Sequence, residues 1–223
     1  MNVNFSVEYF IGRFPEFIKF LPITLSLALI SIVIGLVLGT SIALIRTYKI
    51  KILYPLSNIY VSFFRGTPLL VQLFIFYYGL PQVIPSLGGI NAYTAAFVTL
   101  SINSAAYMSE IIRAAINSVD KGQMEAALSV GMTYFQGMTK IVLPQAARIA
   151  IPSLGNTFIS LMKETSLAFV LGVSEMLAAA KMGSAASYRF FENYLAVGII
   201  YWIITILFTY IIDKLERNMS KAY

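Results

Sequence analysis

The sequence predicts an all-α membrane protein with five transmembrane helices, and three observations carry that prediction. Of the 223 residues, 58% are hydrophobic and only 12% charged, where a soluble domain carries about 25% charged residues. Mean hydropathy is +0.78, and the apolar runs are too long for elements of a soluble core. Lys and Arg gather on alternate connections between those runs, the asymmetry that sets membrane topology.

The elements follow in order. Phe10, Phe14, Phe17 and Leu21 recur at helical spacing. That suits a short interfacial helix leading into the first span, and it equally suits a frayed, membrane-facing N-terminus. The first twenty residues lack the basic start and small-residue cleavage site of a signal peptide. Spans are expected at about 20–46, 52–79, 90–116, 141–171 and 193–213. Arg65 interrupts the second, and Lys163 and Glu164 lie in the fourth. An odd number of spans puts the termini on opposite sides. Loop one (Arg46, Lys49, Lys51), loop three (Arg113, Lys121, Lys140, Arg148) and the tail (Lys214, Arg217, Lys221) hold ten basic residues. The other side holds four: Arg13, Lys19, Lys181 and Arg189. The N-terminus is therefore expected outside and the C-terminus in the cytoplasm.

Between the spans, Gly79–Gly89 carries Pro81, Pro85, Gly88 and Gly89 and reads as a turn-rich external connection. Gly172–Glu192 reads as an external loop with a short helix over Ser174–Met182. Glu175 and Lys181 of that loop either flank a docking surface for an external partner or, the more ordinary reading, are simply solvated loop charges. The chain reads as one domain over 1–223, without internal repeats. It has no Gly-rich phosphate loop, so no nucleotide site of the Walker type is expected in it.

Composition excludes several chemistries. Without cysteine or histidine there is no disulfide, no Cys/His metal site and no Cys- or His-based nucleophile scheme. The net charge of +6 flanks apolar segments, with no basic stripe of interleaved aromatics for nucleic acid.

The cytoplasmic connection over about 118–137 carries the functional signal. It contains Gln123-Met124-Glu125-Ala126-Ala127-Leu128-Ser129-Val130-Gly131. Asp120 is placed to cap a short helix, the Ala residues to give it a small face that another protein can approach, and Gly131 to end it at positive φ. Pro144 then begins or kinks the following span. Read alone, this is equally an amphipathic connector. Glu125-Ala126-Ala127, three residues, Gly131, nine residues, Ile141, one residue and Leu143-Pro144 resemble the EAA loop of the membrane subunits of ABC importers. Phe64-Arg65-Gly66-Thr67-Pro68-Leu69-Leu70-Val71-Gln72 and Lys163-Glu164-Thr165-Ser166-Leu167 resemble segments of the polar-amino-acid permeases, the histidine/glutamine/glutamate/arginine group. The resemblance covers essentially the whole chain.

It implies a permease subunit without bond chemistry or a cofactor of its own. ATP and Mg would bind on separate cytoplasmic ATPase subunits. Glu125, Ala126, Ala127, Gly131, Leu143 and Pro144 would form the coupling helix region that docks on them. A second permease subunit, identical or merely similar, would complete the path through the bilayer. An external solute-binding protein would deliver the amino acid.

Intramembrane charges point to the substrate. Each costs roughly 2.5–3.5 kcal/mol at the bilayer centre, so Arg65, Lys163 and Glu164 are expected to face the bundle interior or a watery cavity. Gly66 and Pro68 are expected to break the second span, and broken helices are where transporters commonly place substrates. Thr157, Ser160 and Glu164 form one polar stripe of the fourth span, with Asn156 and Lys163 beside it. Asn103 and Ser104 are buried polar groups needing partners. The candidate substrate site is thus Arg65, Gly66, Thr67, Asn103, Ser104, Thr157, Ser160, Lys163 and Glu164. Arg65 or Lys163 would take the substrate carboxylate, and Glu164 a cationic side chain, which favours arginine, lysine or histidine, with glutamine next. Two rival readings stay open: Lys163 and Glu164 pair with Arg65 or each other to hold the helices, or Glu164 is the ion site of a gradient-driven carrier. Glu110 and Arg113 read as an ion pair at a surface or between subunits.

Overall fold

The computed structural model describes residues 4–220. Lys221 lies outside them. The described residues are 87% helix, with no strand among them. The helices begin with α1 (Val7–Ile18), whose N-terminus is capped by the Ser6 hydroxyl accepting from Tyr9 N. The long apolar α2 (Leu21–Thr47) follows, then α3 (Leu53–Gly66), α4 (Leu69–Phe74) and α5 (Leu80–Val83). Next come α6 (Ala92–Ser118), α7 (Lys121–Ser129), α8 (Tyr134–Gly137) and α9 (Leu143–Glu164). A 3₁₀ turn over Thr165–Leu171 leads to α10 (Met176–Ser187) and the final α11 (Phe190–Ser220). Three helices, α2, α6 and α11, are long and apolar enough to cross a membrane, or up to five spans if each of two bent helix pairs counts as one.

Proline explains where the helices deform. One π turn, Ile75–Gly79, runs directly into Leu80-Pro81, and another, Met138–Val142, into Leu143-Pro144. In both, the leucine before the proline bonds five residues back, Leu80 N to Ile75 O and Leu143 N to Met138 O. A proline cannot donate to the carbonyl four residues earlier and its ring crowds that carbonyl. Widening the preceding turn relieves the crowding without ending the helix. The helical run that starts at Leu69 therefore continues through Pro81 to Val83, into the expected turn-rich connection. The helix leading into Leu143-Pro144 already starts at Tyr134.

The described residues fall into two compact units. The first comprises the chain to Val33, Thr67–Ser101 and Phe158–Phe208. Its core includes Phe17, Ala28, Met162, Met176, Ala180, Ala196 and Ile200, with Phe10, Phe14 and Leu21 packed against it. The aromatic face of α1 is therefore spent on protein packing, and the frayed, membrane-facing N-terminus is not what forms. A second cluster joins Leu27, Leu73, Ala95, Ala96, Ala168 and Leu171.

The second unit comprises Ile34–Gly66, Ile102–Thr157 and the chain from Thr209. Its core is built by Ala115, Ile116, Met138, Val142, Ala146 and Ala150. Here α2 and α6 approach closely at Gly39. A Cβ on Gly39 would lie 2.9 Å from Met108 Cβ and 3.0 Å from the Ala105 carbonyl oxygen, and backbone cannot step aside as a flexible side chain can. Overpacking of this kind costs about 1–3 kcal/mol, while alanine gains up to about 1 kcal/mol over glycine in helix propensity. Gly39→Ala is expected to be slightly destabilising and Gly39→Val clearly so. Thermal unfolding of the detergent-solubilised protein checks this, and a Gly39→Val melt at the wild-type midpoint would show that the helices part freely.

Candidate functional site

The EAA segment folds as a helix–turn–helix within the second unit. Asp120 caps α7, its Oδ1 accepting from Gly122 N at 2.7 Å. Gly131 at φ +83° turns the chain, with Gly131 N bonding Leu128 O at 3.0 Å and Met132 N bonding Ala127 O at 3.1 Å. A reciprocal capping box then starts α8: Gln136 N donates to Thr133 Oγ1 at 3.2 Å and Thr133 N to Gln136 Oε1 at 2.8 Å. The Thr-x-x-Gln spacing that marks it was available in the sequence.

The alanines of the motif do not share a face. Ala127 is 2% exposed and packs where a Cβ on Gly137 would lie 3.3 Å from its own. Glu125, Ala126 and Leu128 are exposed. The outer surface continues through Val130 at 79% and Phe135 at 74% exposure. These two apolar side chains were not singled out from the sequence, because an apolar residue at a turn looks like any other until burial is known. Leu143 and Pro144 enter α9 beneath this motif, with Leu143 packed against the core of the unit.

In the same unit α3 ends at Gly66; the chain then passes into the first unit, where Pro68 in an extended conformation precedes α4. Pro68 has no N–H for the Phe64 carbonyl, and Asn103 Nδ2 donates to that carbonyl at 3.2 Å instead. Asn103 thus finds its partner in the backbone the proline released, with Ser104 buried beside it. The space next to Gly66 is open in this chain.

Arg65 meets Glu110, at 3.6 Å, and its guanidinium lies 5.5 Å from the Tyr107 ring centre. Glu110 also binds Arg46 at 2.5 Å and Arg113 at 2.7 Å. Arg46 in turn donates to Asn58 at 2.9 Å. The expected Glu110–Arg113 surface pair is therefore one edge of a four-residue cluster, with Arg46 only 14% exposed in its side chain. Thr157 also belongs to this unit, its hydroxyl bonded to Ser153 O at 2.9 Å.

Thr67, Ser160, Lys163 and Glu164 belong to the first unit. Thr67 accepts from Gln72 Nε2 on both its carbonyl, at 3.1 Å, and its hydroxyl, at 2.9 Å, which ties down the first turn of α4. Ser160, Lys163 and Glu164 line one open concavity with Ser166 and Leu167. Lys163 and Glu164, adjacent on α9, do not form an ion pair with each other among the described residues. Along α9, Ser160 and Lys163 in this unit, and Ser153 and Asn156 in the second, are all exposed polar residues. Elsewhere in the unit, Glu175 corrects the sequence reading. It is fully buried, caps α10 through Leu177 N at 2.9 Å and Ala178 N at 2.6 Å, and accepts from Tyr201 Oη at 3.0 Å. It is a structural cap with no surface to offer a docking partner.

The chain is similar to known proteins in sequence and in fold. The family described as binding-protein-dependent transport system inner membrane component matches residues 31–221. The probable amino-acid permease protein YxeN of Bacillus subtilis (strain 168) is 54% identical, covering 97% of this chain and 96% of its own. The L-cystine transport system permease protein TcyL of the same organism is 42% identical over 95% of this chain and 90% of its own. Its arginine transport system permease protein ArtQ is 39% identical, over 99% of both chains. The crystal structure of an amino acid ABC transporter with histidines superposes with a TM-score of 0.90 at 38% identity, covering 97% of this chain and 100% of that one. Family membership sets aside the gradient-driven carrier. The chain belongs to the inner-membrane components of binding-protein-dependent transport systems, as an amino-acid ABC transporter permease subunit.

Proposed function

We propose that this subunit imports basic amino acids by alternating access, driven by ATP and Mg on separate cytoplasmic ATPase subunits. In this reading the whole chain, 1–223, is one transmembrane domain with five spans, N-terminus outside and C-terminus cytoplasmic. Two bent helix pairs supply the spans beyond α2, α6 and α11, and the basic residues set the orientation. The loop of Glu125, Ala126, Ala127 and Gly131, braced by Leu143 and Pro144, is the coupling helix. An external binding protein delivers the substrate.

The observation that carries the path is the exposed polar stripe of α9, Ser153, Asn156, Ser160 and Lys163. Facing lipid, it would cost several kcal/mol. Facing a second permease subunit, most simply a copy of this chain, it lines a hydrated route. Arg65, Gly66, Thr67, Asn103, Ser104, Thr157, Ser160, Lys163 and Glu164 contribute to that route. Lys163 or Arg65 holds the substrate carboxylate. Glu164, unpaired with Lys163, receives the cationic side chain.

Relatives named for cystine and for arginine stand at similar identity, so charge selectivity has to rest on the site itself. Glu164→Gln is expected to lower uptake of arginine and lysine at least about tenfold, the worth of one charge-assisted bond, and to leave glutamine uptake less affected. Competition uptake in proteoliposomes reads this out. Unchanged selectivity for cationic amino acids would remove Glu164 from the site. Preferred glutamine uptake by the wild type would assign the neutral substrate instead.

A further inference from the structure

One concavity of the second unit has no part in the path described above. Arg46, Thr47, Lys49, Tyr54, Arg113 and Asn117 line it, around a volume of about 270 Å³. Three of the six are cations and none is acidic. Glu110 binds Arg46 and Arg113 from outside the lining, which fixes both guanidiniums in place and leaves each with unused N–H donors.

The remaining donors are unspent. Thr47 Oγ1 lies enclosed behind the lining without a hydrogen-bond partner. The side chains of Lys49, Tyr54 and Asn117 make no hydrogen bond or ion pair among the described residues. Lys49 is held at φ +49°, a left-handed conformation uncommon for lysine. The C-terminal ends of α2 and α6 contribute about half a negative charge each. The three cations outweigh these two ends and Glu110 together, so the concavity stays positive.

We propose that this concavity binds a phosphate oxyanion, supplied by an anionic lipid headgroup or by free phosphate. Hydroxyl, amide, ammonium and guanidinium donors around one small volume match a tetrahedral anion with several acceptor oxygens. Basic pockets between helices at the membrane surface take such headgroups. A neighbouring concavity shares Thr47 and Asn117 and reaches Lys121, Met124 and Glu125 of α7.

The test uses the complete transporter in detergent, with fluorescent phosphatidylglycerol as probe, phosphatidylcholine as control and inorganic phosphate as competitor. Lys49→Asn keeps the left-handed backbone accessible and removes the charge, and Tyr54→Phe removes one hydroxyl. Wild-type protein is expected to bind phosphatidylglycerol in preference to phosphatidylcholine. Lys49→Asn is expected to weaken that binding about tenfold or more, and Tyr54→Phe about threefold. Displacement by millimolar phosphate assigns the oxyanion alone as sufficient. Resistance to phosphate, with the Lys49 dependence intact, assigns the lipid. Binding of both phosphatidylglycerol and phosphate that ignores both substitutions, in variants that melt like the wild type, overturns the site. Amino acid uptake is not the readout, so this failure leaves the transport reading standing.

Discussion

Ala126→Arg is expected to strip the ATPase subunit from the purified transporter while leaving the permease as stable as the wild type. Ala126 is exposed on α7 between Glu125 and the outward apolar residues Leu128 and Val130. A long cationic side chain there projects from an exposed position and would block close approach of a partner. Placing it in a packed interface costs about 3 kcal/mol or more, so uptake should fall at least about a hundredfold. Ala127→Arg is the informative control. Ala127 is 2% exposed and faces Gly137, so a charge there breaks the contact of α7 with α8 and lowers the melting midpoint. The two adjacent substitutions thus separate docking from folding. An Ala126→Arg transporter that keeps its ATPase and its uptake would remove the coupling role from this helix.

What the sequence revealed, and what it hid, follows from the range of the forces involved. The apolar runs, the break at Gly66 and Pro68, the Asp120 cap and the turn at Gly131 depend on residues within a few positions of one another. Local rules reach them. The Phe10, Phe14 and Phe17 spacing announced a helix, but its covering by Met176, Ala180 and Ala196 comes from the far end of the chain. Glu175 looked like a loop residue because its burial depends on Tyr201. The split of Ala126 from Ala127 was legible in principle, since neighbours on a helix point about 100° apart. What decided which one faces inward was Gly137, on the far side of a turn. The substrate residues were chosen for the cost of charge in a bilayer, and that argument says which side chains need a partner without saying which partner. Arg65 and Glu110 answer it in part. Glu110 and Arg46 are 64 residues apart, and no linear pattern marks them as a pair.

That cluster carries the second large effect. Glu110→Gln is expected to destabilise the protein by about 2–3 kcal/mol, below the 3–5 kcal/mol typical of a broken buried pair, because the carboxylate retains some exposure. Its side chain is 20% exposed, against 14% for Arg46. Removing its charge leaves Arg46 nearly enclosed without an anion and Arg113 without its bond of 2.7 Å. Arg65→Gln should behave differently, since Arg65 is 45% exposed and stands 3.6 Å from the carboxylate. Screening leaves such a pair less than about 1 kcal/mol, so this variant should melt near the wild type while uptake falls. Denaturant titration of both variants, set beside transport, tells the two roles apart: Glu110 holds the guanidiniums in place, and Arg65 has the exposure and the weak tether that a substrate ligand requires. If Glu110→Gln unfolds at the wild-type midpoint, the three arginines need no common anion. Glu110 then loses its structural role, and Arg65 loses the contrast with it that marks Arg65 as a ligand.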